Sequence, residues 1–419
     1  MSVRMWTAAR ALYDAGLRHG IAKHDTVSNN PTTGAAGLTW SFREAYTSLH
    51  KFQSGGIAML KYSLAVLIIA TFAFASLSAQ QLSPIHQPTL TPQNSGTSEG
   101  LIAVSPVNPQ VVWASGRGGT FTVTTDGGQT WNAGVVPGAE ALQFRDVQGF
   151  SASVAYLMSI GTSGDPTDFR IYKTVDGGAT WTEQFVNQNP NAFYDCFAFW
   201  TPMRGIAHSD SVNGVFPDLR TTDGTNWLDI SGNMPPALPG EFSFAASGTC
   251  VTTQGGQNAW IGTGGASVAR ILATRDGGDT WNAYDTPLVV GPSAGIFTVA
   301  FRNPWNGIAG GGDLDPNDPN SADTAISSDG GVTWTLTNPP PVTGAIFGLS
   351  YVGQKGDGGG NDGRSVVITA NDGGAAWTPD EGTTWYTLPG VSGFWAVAFA
   401  SPKAGWLVGT DGRILKISF

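Results

Sequence analysis

Thr274-Arg275-Asp276-Gly277-Gly278-Asp279-Thr280-Trp281 decides the fold, because near copies of it recur along the chain. The other copies open at Thr124, Thr174, Thr221, Ser327 and Thr378 and end at Trp131, Trp181, Trp227, Trp334 and Trp385. Each keeps an Asp in third place, at Asp126, Asp176, Asp223, Asp276, Asp329 and Asp380, and the copy at Thr221 is one residue short. The tryptophans stand 50, 46, 54, 53 and 51 residues apart, a spacing that belongs to propeller blades and other repeat arrays. The phrase reads as a hairpin turn. Its Asp accepts the backbone N–H groups that follow it, its Gly takes a positive φ, and its Trp carries a large apolar ring between layers.

Outward from each turn lie short apolar runs broken by Gly, Pro and Asp. Phe394–Phe399, Gly405–Gly409 and Arg413–Ser418 show three in a row, and Ile296–Phe301 with Gly307–Gly311 and Ile346–Tyr351 with Ser365–Ala370 repeat the order. With 57 glycines and little helical periodicity after residue 80, the chain is expected to be all-β. Six blades end in the phrase, and a seventh begins at Phe394 and stops after three strands at Phe419. A seven-bladed β-propeller follows, its ring closed by an N-terminal strand that spares the last blade an exposed edge. Residues 80–99 are expected to supply that strand and 100–419 to form the propeller. Asn371–Gly374 and Thr410–Gly412 lack the Thr-Trp ending and read as turns between second and third strands.

The phrase S/T-x-D-x-G-x-T-W resembles the Asp-box, or BNR repeat, of sialidases, the sortilin ectodomain and the photosystem II assembly factor family. That resemblance implies a box between the third and fourth strands of each blade. Gly405–Lys416 and Val111–Gly116 are similar to exported bacterial Asp-box proteins related to the assembly factor. The resemblance implies a scaffold that binds a partner protein. Assembly-factor relatives use basic surface on the ring, whereas this chain is acidic. The sialidase signature Phe-Arg-Ile-Pro has a counterpart in Phe169-Arg170-Ile171-Tyr172, but this lies in blade two and lacks the Pro.

Met59-Leu60-Lys61 followed by the apolar run Ser63–Ala75 reads as a secretory signal over 59–79, with 1–58 a misassigned upstream extension. The apolar run falls short of the roughly 20 residues of a membrane span, so no stable span is expected after cleavage. A periplasmic or secreted location follows. Beyond residue 79 the chain carries 14 Lys/Arg against 28 Asp/Glu, net −14, which disfavours nucleic acid and anionic membranes as partners. Two cysteines exist, Cys196 and Cys250; an oxidising compartment permits a bridge, and two buried thiols are the expectation. No Cys/His spacing marks zinc, and no cofactor is expected.

In a propeller the first strand of each blade lines the central channel. An ungapped alignment of first strands on Val397 and Phe399 sets Trp395 level with Phe347, Phe297, Asp195 and Arg145, and also with Glu99. Asp146 lies beside the charged side, Glu241 opens blade four, and Asp210 follows in a later turn of blade three. The mouth is thus expected to join a polar set, Arg145, Asp195, Asp210 and Glu241, to an aromatic wall of Trp395, Phe297 and Phe347, a mixture suited to a ligand. Asp313, Asp315 and Asp318 lie in an acidic loop that lacks the Gly and Glu of a calcium loop. No nucleophile elbow or phosphate-binding loop is present. The reading is an exported, non-catalytic propeller that binds a protein or glycan at the face opposite the Asp-boxes. The alternative is a glycoside hydrolase using two of Asp146, Asp195 and Glu241, a reaction that needs carboxylates about 5–10 Å apart.

Overall fold

The computed structural model describes residues 87–160, 165–315, 323–353 and 363–419. The expected signal and upstream extension lie outside the described residues. β1 (Thr89–Asn94) precedes blade 1, which is β2 (Leu101–Pro106), β3 (Val112–Gly116), β4 (Thr120–Thr124) and β5 (Asn132–Val135). Blade 2 is β6 (Gln143–Gly149), β7 (Ala155–Ile160), β8 (Arg170–Thr174) and β9 (Thr182–Val186). Blade 3 is β10 (Tyr194–Thr201), β11 (Arg204–Ser209), β12 (Leu219–Thr221) and β13 (Leu228–Asp229). Blade 4 is β14 (Val251–Gln254), β15 (Asn258–Gly262), β16 (Arg270–Thr274) and β17 (Asn282–Asp285). Blade 5 is β18 (Ala294–Phe301), β19 (Gly307–Asp313), β20 (Asp323–Ser327) and β21 (Thr335–Leu336). Blade 6 is β22 (Gly348–Tyr351), β23 (Val366–Thr369), β24 (Ala375–Thr378) and β25 (Tyr386–Thr387). Blade 7 is β26 (Phe394–Ser401), β27 (Ala404–Gly409) and β28 (Arg413–Ser418), with β1 as its fourth strand.

Each blade is a four-stranded antiparallel meander, and the first strands β2, β6, β10, β14, β18, β22 and β26 touch in sequence, β26 returning to β2. This is an all-β, seven-bladed β-propeller. β1 pairs antiparallel with β28 from Thr89↔Ser418 to Asn94↔Arg413. Among the described residues, helix is confined to three short turns at Pro166–Asp168, Ser231–Asn233 and Thr410–Gly412.

The repeated phrase lies between the third and fourth strands of its blade, and its chemistry explains the turn. At Asp126 one oxygen accepts the Thr130 hydroxyl at 2.6 Å and the other accepts the Thr130 N–H at 2.9 Å and the Thr124 hydroxyl at 2.8 Å. Those bonds, Thr130 foremost, hold the Asp126 carboxyl down at about 2. In the shortened copy Asp223 turns instead to the N–H groups of Thr225 and Asn226, both at 2.8 Å. The residue after each Asp has positive φ: Gly127, Gly177, Gly224, Gly277 and Gly330, and in the sixth copy Glu381 at 56°.

The core lies between blades. Trp113, Phe121, Phe144 and Leu157 fill the seam of blades 1 and 2, and Trp260 stacks on Phe301 at 3.6 Å between blades 4 and 5. Burying one such ring contributes about 1.5–3 kcal/mol. The aromatic on the second strand also ties its blade to the next. Trp113 Nε1 donates to Ser151 O at 2.9 Å, Tyr156 Oη to Pro202 O and Gly224 O at 2.8 Å, and Trp260 Nε1 to Gly330 O at 2.7 Å. In blade 7 Trp406 Nε1 donates to Gln93 Oε1, which also accepts Trp131 Nε1 of blade 1, both at 3.1 Å.

Cys196 of β10 and Cys250, the residue before β14, form a disulfide with Cα atoms 6.0 Å apart. This corrects the expectation of two thiols: adjacent first strands bring the two fully buried side chains into direct contact.

Candidate functional site

The turns after first strands and the repeated Ser/Thr-x-Asp turns share one face of the ring, because every sheet is an antiparallel meander. The second-to-third-strand loops and the blade connections lie on the other, and the axial mouth described below opens there. Its lining begins with a repeated irregularity. The pairing of first and second strands slips at Ile102 in β2, Arg145 in β6, Asp195 in β10, Phe297 in β18 and Trp395 in β26. Each is the extra residue of a β-bulge, which re-aims a side chain. Phe347 adjoins β22 and gives its N–H to Thr369 O at 2.8 Å, although Thr369 already pairs with Gly348. The bulges therefore put the residues that share one register position into one ring. Glu99 is not among them: it is exposed before β2, and Ile102 takes the blade 1 position.

These side chains meet around the axis. Arg145 has its Cζ 5.3 Å from the Trp395 ring centre; Trp395 lies 5.2 Å from Phe347, and Phe347 lies 5.8 Å from Phe297. Phe297 stacks at 3.8 Å on Phe244, which lies between Glu241 and β14. Residues 242–248 cross the mouth. Ala245 O accepts Arg145 Nη1 of blade 2 at 2.8 Å, Ser247 Oγ donates to Phe347 O of blade 6 at 2.5 Å, and Thr249 Oγ1 bonds Thr298 of blade 5 at 2.8 Å. A Cβ at Gly248, whose φ is 76°, would stand 2.4 Å from Asp146 Oδ1, so the crossing is close-packed. The aromatic wall is consequently buried, with Phe297, Phe347 and Trp395 exposed by 1%, 8% and 3%. Glu241 does not open blade 4, since β14 starts at Val251; it precedes the crossing.

The carboxylates divide by partner. Asp146 accepts the N–H of Val147 at 2.8 Å and of Phe197 at 2.9 Å, and burial holds its carboxyl well above the usual range against those bonds. Glu241 grips Arg270 through both oxygens, at 2.9 and 2.5 Å, and takes the Thr263 hydroxyl at 2.7 Å. Asp195 is buried beside Asp210, and burial followed by the Asp210 charge raises its carboxyl. Asp210 is half-buried and accepts the Ser243 N–H at 2.9 Å; burial pushes its carboxyl up to about 6. Asp313 accepts the Ser293 hydroxyl at 2.6 Å and the Asp315 N–H at 2.9 Å, and Asp318 lies outside the described residues. Among the described residues no group of three or more His, Cys, Asp and Glu is arranged to hold a metal.

Sequence reasoning missed one constellation. His208 Nδ1 lies 2.9 and 2.8 Å from the two Asp218 oxygens, and His208 Nε2 lies 2.9 Å from Ser243 Oγ. This is the atom order of a nucleophilic triad. All three side chains are buried, and the Ser243 hydroxyl also lies 2.8 Å from Gly262 O, so the line seals the seam of blades 3 and 4. The three residues sit in different loops and strands, without a motif to link them.

These observations define a seven-bladed propeller whose axial mouth is crossed by its own chain. No protein-family model matches the chain, and no curated protein matches it. Among solved structures, one described as YCF48 bound to D1 peptide is similar over 80% of this chain and 98% of its own, with TM-score 0.56 and 17% identity. YCF48 from Cyanidioschyzon merolae is similar over 78% and 98%, with TM-score 0.55 and 17% identity. The likeness is one of fold.

Proposed function

We propose that this chain is an exported, non-catalytic propeller scaffold that binds a protein partner at the face opposite the Asp-boxes. One observation carries the reading: a solved propeller of this fold, similar over most of both chains, is described as bound to a peptide. The glycan ligand also expected from the sequence has no such support. Export is supported by the Cys196–Cys250 bond, which oxidising compartments favour. A scaffold rather than a glycoside hydrolase suits the carboxylates, because Asp146 and Glu241 are buried and committed to backbone amides and to Arg270. Among the described residues no helix is long and apolar enough to cross a membrane.

The test is affinity capture from envelope extract with the full chain and two charge-reversed forms. Asp285→Lys/Asp372→Lys alters exposed residues on the proposed face, and Lys403→Glu alters an exposed residue on the Asp-box face. The expected result is a partner held by the wild type and by Lys403→Glu and released by the double variant. Release by Lys403→Glu instead overturns the choice of face, and capture of nothing specific overturns the scaffold.

A further inference from the structure

Blade 5 carries three exposed large apolar side chains, Trp305 at 60%, Leu336 at 49% and Val332 at 41%. Trp305 is the only exposed aromatic among the described residues. Its turn, on the face of the repeated turns, holds it still. Asn303 Oδ1 accepts the N–H groups of Trp305 and Asn306, both at 2.9 Å, and Trp305 O accepts the Gly330 N–H at 2.7 Å. The Arg275 guanidinium lies 5.7 Å from its ring centre. An aromatic fixed in this way loses little freedom on binding, which is the character of an interface anchor. The same blade also offers a recess. Between its outer strand and the repeated turn of blade 6 lies a cleft of about 220 Å³, lined by apolar Ile326 and Leu336 and by polar Asn338, Glu381 and Thr383. We propose that Trp305 of one copy of this chain seats in that cleft of a second copy, and that a two-fold axis repeats the contact in reverse.

A knob and a recess on one blade meet the condition for such a pair: each copy gives what the other receives, and the assembly closes at two. Seated there, the indole packs on Ile326 and Leu336, and its N–H faces the oxygens of Asn338 and Glu381. Charge selects this corner for a second copy. The chain is acidic, at net −10, and the other face of the ring exposes Glu99, Glu140, Asp285, Asp372 and Asp411. Two such faces repel at contact distance, within the roughly 8 Å over which salt leaves charges unscreened. At the corner of blade 5 the carboxylates are answered. Glu381 accepts Arg302 at 2.7 Å, and Asp329 accepts the hydroxyls of Ser327 at 2.8 Å and Thr333 at 2.6 Å. Arg275, bonded to Pro304 O and Gly330 O, brings a positive charge with the knob, and Glu381 brings a negative one to the recess. The two-fold contact sets these opposite charges toward each other twice. It leaves the face opposite the repeated turns open, so it stands or falls apart from the scaffold reading.

The test is sedimentation velocity of the full chain from about 1 to 100 µM, the weak end of specific protein contacts. A monomer–dimer equilibrium within that range is expected. Trp305→Ala removes both anchors and Leu336→Asp spoils both recesses; each changes an exposed residue and is checked for an intact melting transition. Each is expected to weaken association on the order of a hundredfold, because two anchors are lost at once. A mixture of the two variants keeps one of the two contacts, Trp305 of the Leu336→Asp chain in the recess of the Trp305→Ala chain. With one variant dye-labelled, this mixed pair is expected to form on the order of tenfold more tightly than either variant alone. A wild type that stays monomeric throughout the range overturns the contact, as does a dimer that either variant leaves unweakened. A mixture that associates no better than its components overturns the pairing of knob with recess.

Discussion

Replacing Gln93 by leucine removes one oxygen and orphans two indoles. β1 brings Gln93 Oε1 to Trp131 Nε1 and Trp406 Nε1, each at 3.1 Å, so a single acceptor links the first blade to the last. Gln93→Leu keeps nearly the same volume and leaves both N–H groups without an acceptor. A buried donor left unpaired costs about 1–3 kcal/mol. Trp406, fully buried, belongs at the upper end, while Trp131, 7% exposed, has some access to water. The sum is about 2–5 kcal/mol. At about 2–4 °C per kcal/mol, and toward the lower value for a domain this large, the melting temperature falls on the order of 4–10 °C. Gln93→Glu, which keeps the acceptor, loses less. Scanning calorimetry reads the fall, and hydrogen exchange should show faster opening of β1 and β28. A Gln93→Leu protein with unchanged melting and unchanged protection of β1 would refute the claim that this oxygen closes the ring.

Three other outcomes follow from the same reasoning. Cys196→Ala/Cys250→Ala removes a link across 54 residues, worth about 4 kcal/mol by loop entropy, and melting should fall accordingly; unchanged melting would show that packing alone holds the seam. Asp210 keeps its proton to about pH 6 when folded and to 3.8 in its ordinary state, so it lowers stability progressively as pH rises between those values. Asp210→Asn should therefore be more stable than the wild type at pH 7.5, by on the order of 1–3 kcal/mol, with the difference vanishing near pH 4; a pH-independent difference contradicts this. Glu381→Gly relieves a positive φ worth about 1 kcal/mol but loses bonds from Arg302 at 2.7 Å and Tyr351 at 2.9 Å, so a net loss of about 1–2 kcal/mol is expected in denaturant titration, and a gain would reverse the ranking of the two effects.

The blades were legible because one turn with its own hydrogen-bond chemistry, Ser/Thr-x-Asp followed in five copies by Gly and in the sixth by Glu381, is written six times at blade spacing. The level position of Arg145, Asp195, Phe297, Phe347 and Trp395 was legible as well, since a bulge repeated in several first strands preserves register between them. What covers them was not. Phe242–Gly248 has the apolar alternation of a strand, and local pattern reads it as the start of blade 4. The stack of Phe244 on Phe297 and the bonds from Arg145 and to Phe347 O draw it across the axis instead, and such contacts lie 50 to 100 residues away in sequence. The disulfide was hidden for a related reason: sequence places Cys196 and Cys250 in neighbouring blades, but side-chain direction depends on the irregular chain before β14.

The ties from second strands make the ring a circle of unequal joints. Trp113, Tyr156, Trp260 and Trp406 supply a polar tip at that position, whereas blades 3, 5 and 6 carry Ile206, Ile308 and Val367 there. Two of those joints have substitutes, the disulfide between blades 3 and 4 and the Arg302–Glu381 ion pair between blades 5 and 6. Blade 6 meets blade 7 without a tie from its second strand: Val367 packs against Val397 and Leu407, and the bonds between these blades run along the inner strands, from Thr369 Oγ1 to Trp395 O at 3.0 Å and from the Gly393 N–H to Asn371 O at 2.8 Å. Under strain the circle should part there first, opposite in character to the stitched joint at Gln93, and exchange at β23 and β27 faster than at β3 and β7 would show it. In a ring built this way, the order in which joints open under strain depends on which second strands lack an aromatic and on what replaces it.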